Sequence, residues 1–84
     1  MSNADDALLS DIADILRDVF DEEDLAITPE FSRKDNELWD SMNHLNIVFA
    51  IESKFKIKLG VVDIEEIQSV ADILRIVKQK TGKS

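Results

Sequence analysis

The chain has no cysteine and no tyrosine, one proline, one histidine, one tryptophan and two glycines. Without cysteine there can be no disulfide staple, no thiolate nucleophile and no thiolate-bound metal, which suits a reducing compartment. Long apolar runs are also missing. The longest, "IVFAI" at residues 47–51, is far too short to span a bilayer. The N-terminus lacks both a basic and an apolar leader region, so no signal peptide is read and a cytoplasmic location is expected. A surplus of positive charge is absent too. The formal net charge is −8, which argues against nucleic acid and anionic membrane surfaces and favours basic partners. At 84 residues the chain is expected to form one domain with a modest core, too small for an enzyme-sized internal cavity, and a monomer.

What is present is helical periodicity. Leu8, Leu9, Ile12, Ile15, Leu16 and Val19 form one apolar stripe, predicting a helix over 4–20 with Ser2 or Asn3 as cap and Asp5 and Asp6 at its positive end. Residues 21–39 lose the period. They contain Pro29 and several turn formers, and read as a long loop anchored in the core by Leu25, Ile27 and Phe31. A second helix is predicted over 40–55, with Met42, Leu45, Val48, Phe49, Glu52 and Phe55 at three- and four-residue steps. Gly60 punctuates the chain, and "VDIEEI" predicts a helical turn over 63–67 capped by Asp63. Ser69 and Asp72 form an S-x-x-D start for a last helix over 69–81, with Val70, Ile73, Leu74 and Val77 inward and Gly82 beyond its end. "KFKIKL" alternates like a strand, but no second strand is there to pair with it. The expected fold class is all-α: a small four-helix bundle of three long helices and one short, with a long loop between the first two.

Ser41 stands where the second helix begins. With Asp40 as N-cap, its hydroxyl faces solvent beside the free N–H groups and positive dipole end of the first turn, a place that stabilises an anion. Taken alone, Asp40 and Ser41 are ordinary cap residues. The wider pattern says more. Asp40-Ser41-Met42, "IESKF" (Ile51 to Phe55) and "EEIQSVADIL" (Glu65 to Leu74), at these distances and in this helix order, resemble the acyl carrier protein family over nearly the whole chain.

The resemblance implies that a phosphopantetheinyl transferase moves the phosphopantetheine arm of coenzyme A onto Ser41. Asp40 occupies the position that supports magnesium during transfer. The arm's thiol then carries an acyl or aminoacyl group as a thioester, and loading and transferring enzymes do the chemistry. The protein itself is expected not to be an enzyme and to hold no resident metal. Phe49, Ile51, Leu59, Ile64, Ile67 and Ile73 match positions that shelter cargo in some members, and read equally as plain core. Trp39, Met42, Asn43, His44 and Glu52 are the expected partner-docking residues.

There are departures from the family pattern. Asn43 and Asn46 stand where fatty-acid carriers usually have acids, which weakens attraction to a basic enzyme surface. Trp39 precedes the motif where small residues are common, and would serve either as an exposed interface anchor or as a plug in the loop. The chain therefore looks more like stand-alone carriers of specialised pathways. The D-S-M form is similar to D-alanyl carriers, although "EEIQSV" fits that branch less well, and peptidyl carriers usually have His where Asp40 stands.

Rival readings are weaker. Asp40, Ser41 and His44 suggest a hydrolase, but there is no G-x-S-x-G elbow and no oxyanion hole. "DEEDL" (Asp21 to Leu25) lacks the ligand spacing and central glycine of an EF-hand. An unmodified helical adaptor of the same fold remains the alternative to a carrier.

Overall fold

The computed structural model describes residues 3–82. The expected cap at Ser2 or Asn3 and the placing of Asp5 concern side chains outside that description. Among the described residues there are four α-helices and no strand: α1 (Asn3–Phe20), α2 (Ser41–Phe55), α3 (Val61–Glu66) and α4 (Val70–Thr81). "KFKIKL" ends α2 and forms the turn after it.

α1 buries Ile12, Ala13, Leu16 and Phe20, flanked by Leu8, Leu9, Ile15 and Val19, and packs against both α2 and α4. It stops without a glycine. Asp21 takes the left-handed conformation (φ 56°), and the Glu22 N–H donates to Arg17 O at 3.0 Å, a Schellman closure. α2 ends in the same way. Lys56 has φ 56°, and the Ile57 N–H donates to Glu52 O at 3.2 Å.

The face that α2 buries differs from the expected one. His44, Ile47, Val48 and Ile51 point inward. Met42, Leu45 and Phe49 are 74%, 46% and 61% exposed. The segment is apolar almost all round, so two stripes satisfy helical spacing equally well. The expected stripe runs into Glu52, whereas the observed one places β-branched Ile47, Val48 and Ile51 in the core that α2 shares with α1. Of the positions matched to cargo shelter, Ile51, Leu59, Ile67 and Ile73 are buried, Ile64 is partly buried and Phe49 is outside.

The long first loop is better ordered than its sequence suggests. Ile27 is buried, and Leu25 and Phe31 pack against the core as expected. A 3₁₀ turn, Arg33–Asp35, lies within the loop. Its neighbours fasten the loop to the start of α4. The Val70 N–H donates to Phe31 O at 2.9 Å, Ala71 N–H to Pro29 O at 3.0 Å, and Arg33 N–H to Gln68 O at 2.8 Å. Two of the first N–H groups of α4, which a helix cannot satisfy internally, thus find their partners in the loop.

α3 begins earlier than expected, with Gly60 rather than Asp63 as N-cap. Asp63 is its third residue and reaches back, Oδ2 accepting from the Gly60 N–H at 3.1 Å. This is half of a capping box; glycine has no side chain to complete it. The same oxygen meets Lys80 Nζ of α4 at 3.0 Å. The hydrogen bond from Lys80, then that from Gly60, holds the Asp63 carboxyl below the usual range. α4 starts as its sequence predicts. Ser69 Oγ accepts from the Asp72 N–H at 3.3 Å, while Asp72 Oδ2 accepts from the Gln68 N–H at 2.9 Å.

Candidate functional site

The turn before α2 is built around one buried indole. The Leu38 N–H donates to Asn36 Oδ1 at 2.8 Å, and the Trp39 N–H to Asn36 O at 3.1 Å. These bonds turn Trp39 inward, where it is 2% exposed. Its ring lies 6.3 Å from Phe20 and 6.1 Å from Phe31, centroid to centroid. Indole Nε1–H donates to His44 Nδ1 at 2.9 Å, and His44 Nε2 lies 2.8 Å from Ile64 O. A carbonyl can only accept, so Nε2 carries the proton and Nδ1 is the acceptor. One chain of bonds therefore joins the loop, α2 and α3.

Trp39 and His44 are thus corrected as docking residues. Both are buried, and His44 is 5% exposed. The sequence shows His44 three residues after Ser41 and suggests a shared face, but the imidazole turns into the core. It is not placed to act on the Ser41 hydroxyl, and the Asp40-Ser41-His44 hydrolase constellation does not assemble. Asn43 and Glu52 are half-buried and engaged inside the molecule. Asn43 Nδ2 donates to Leu38 O at 2.8 Å, and Glu52 Oε2 accepts from the Leu59 N–H at 2.8 Å. Of the five expected docking residues, Met42 is the one that is largely exposed.

Above this buried base lies the motif. Asp40 is the N-cap of α2, its Oδ1 accepting from the Asn43 N–H at 2.8 Å. Ser41 is the first helical residue and is exposed. Its Oγ accepts from Arg33 Nη2 of the 3₁₀ turn at 3.3 Å. An open groove of about 450 Å³ runs beside it, lined by basic Arg33 and Lys34, acidic Glu37 and Asp40, and Gln68 among others. The sequence reading missed Arg33 and Lys34. They are two of only three basic residues in the first forty, and that isolation within an acidic stretch was the available signal.

Within the described residues there is no cluster of His, Cys, Asp and Glu able to hold a metal ion, and no helix is long and apolar enough to cross a membrane. "DEEDL" forms the turn that closes α1.

No protein-family model matches the chain, and no curated protein matches it. A solved structure does. The holo acyl carrier protein from Geobacter metallireducens, determined by solution NMR, superposes with a TM-score of 0.81 at 31% identity, over 89% of this chain and 86% of that one. With that identity over most of both chains, and with four helices in the expected order, the chain belongs to the acyl carrier protein family.

Proposed function

We propose that Ser41 is the attachment point of a phosphopantetheine arm, and that the protein shuttles acyl or aminoacyl groups between partner enzymes of a specialised biosynthetic pathway. The observation that carries this reading is the exposed Ser41 hydroxyl at the first position of α2, beside an Asp40 cap. An anionic phosphodiester suits that place. The first-turn N–H groups and the helix dipole favour negative charge, Arg33 lies within hydrogen-bonding distance, and the groove is open to solvent.

Loading joins Ser41 Oγ to the phosphorus that bears pantetheine in coenzyme A. It breaks the pyrophosphate bond and releases the adenosine bisphosphate half, and the hydroxyl proton passes to a base on the phosphopantetheinyl transferase. Asp40 Oδ1 is held by the cap bond, and the Asp40 carboxylate would help hold the magnesium ion that supports this transfer. Once attached, the arm supplies a thiol that holds cargo as a thioester. The protein's own residues then orient the base of the arm and present a surface to partners. Met42, Leu45 and Phe49 are exposed on α2, and Asn43 and Asn46 stand where fatty-acid carriers usually have acids, which is the ground for assigning a specialised pathway. A monomeric cytoplasmic carrier without catalytic residues of its own completes the reading.

The test is intact-mass measurement after incubation with coenzyme A and a broad-specificity transferase. A gain of one arm, abolished by Ser41→Ala, is expected. No gain with several transferases would favour an unmodified adaptor.

A further inference from the structure

Arg33 is a cation that meets no carboxylate among the described residues, although acids lie close in sequence on both sides. None of them pairs with it: Asp35 Oδ2 accepts from Ser32 Oγ at 2.7 Å, Asp40 Oδ1 accepts from the Asn43 N–H at 2.8 Å, and Glu37 and Asp40 line the groove beside it. The guanidinium instead reaches across the turn to the Ser41 hydroxyl at 3.3 Å. Its backbone is fixed there, because the Arg33 N–H donates to Gln68 O at 2.8 Å. Lys34 and Gln68 line the same groove.

We infer that Arg33 binds the phosphodiester formed on Ser41 and holds the base of the arm over the groove between the first loop and the start of α4. This rests on the carrier reading above. The phosphorus is bonded directly to the oxygen that Arg33 already contacts, so both non-bridging oxygens come within range of the guanidinium. A planar fork of N–H donors pairs with two such oxygens at once, and a charge-assisted bond of this kind is stronger than the neutral one it replaces. Lys34 adds a second positive charge to the groove, so that the two cations balance the Glu37 and Asp40 carboxylates on its lining. The loop therefore aims the arm, although the residues that do so lie outside the attachment motif.

The experiment compares the ³¹P resonance of the loaded protein in wild type, Arg33→Gln and Arg33→Lys, with loading confirmed by mass. Arg33 makes its side-chain bond to Ser41, so Arg33→Gln leaves the apo fold intact, which circular dichroism checks. The expected result is a displaced resonance in Arg33→Gln, a smaller displacement in Arg33→Lys, and movement of the wild-type resonance toward the Arg33→Gln position as salt is added. Coincident resonances in wild type and Arg33→Gln overturn the inference while leaving the carrier reading standing. If Arg33→Gln fails to load while wild type loads, the salt titration of wild type decides, and a resonance that does not move overturns it. If wild type itself gains no arm, the carrier reading fails and this inference falls with it.

Discussion

Replacing Trp39 with phenylalanine removes one N–H and part of one ring from the base of the turn that presents Ser41. His44 Nδ1, which accepts from that N–H at 2.9 Å, is then a buried acceptor without a partner. Such a group costs about 1–3 kcal/mol. The smaller ring also leaves roughly 40 Å³ unfilled, worth about 1 kcal/mol more at the cavity rate. The total is about 3 kcal/mol, against about 4–13 kcal/mol for a chain of this size. At about 4–8 °C per kcal/mol for a small domain, the melting temperature should fall by about 12–24 °C. Thermal unfolding followed by far-ultraviolet circular dichroism reads this directly. A double-mutant cycle with His44→Leu separates the bond from the packing. Trp39→Phe should cost about 1–2 kcal/mol less in the Leu background, because the acceptor is already gone. Costs that add to within about 0.5 kcal/mol would refute the claim that the indole–imidazole bond holds the turn.

Three further outcomes follow from the geometry. Ile51→Ala should destabilise the protein by about 2–5 kcal/mol, and Phe49→Ala by no more than about 0.5 kcal/mol; denaturant melts with the reverse order would show that the buried face of α2 is misassigned. Lys56→Gly should stabilise by about 0.5–1 kcal/mol, since glycine adopts the left-handed C-cap of α2 without strain, and an unchanged or lower urea midpoint would contradict this. Asp63, whose carboxyl is held low first by Lys80 and then by Gly60, contributes stability that is complete above the usual carboxylate range and is lost as pH falls through the lowered value. Asp63→Asn should therefore melt below wild type at neutral pH and converge with it in acid, whereas a gap that persists unchanged into acid would count against the Lys80 contact.

Much of this fold can be read from the sequence because its signals are local. Two helix starts carry a side-chain cap that acts within four residues: Asp40 for α2 and Ser69 with Asp72 for α4. The α1 stripe is interrupted by acids, so only one face can be buried. α2 has no such interruption. "LNIVFAI" satisfies two faces, and only the packing against α1 and the rest of the core chooses between them, which is tertiary information. The candidate site divides in the same way. Asp40 and Ser41 are a local motif and lie where that motif predicts. Trp39 and His44 show as polar-tipped residues near the motif, and nothing local says that each is the other's partner in the core. Arg33 is eight residues from Ser41, and a loop conformation set by Gln68, Phe31 and Pro29 brings it there. Long-range backbone bonds of that kind leave no periodicity to detect.

The chain's only indole is sealed in the interior two residues before Ser41, with an imidazole against its nitrogen. This gives the molecule an intrinsic optical reporter at the point of greatest interest. Emission from a solvent-shielded indole lies toward the blue, and it shifts to the red when water gains access. Any event that admits water to this turn can be followed by fluorescence on the unlabelled protein, with no competing tyrosine signal and no dye on its surface.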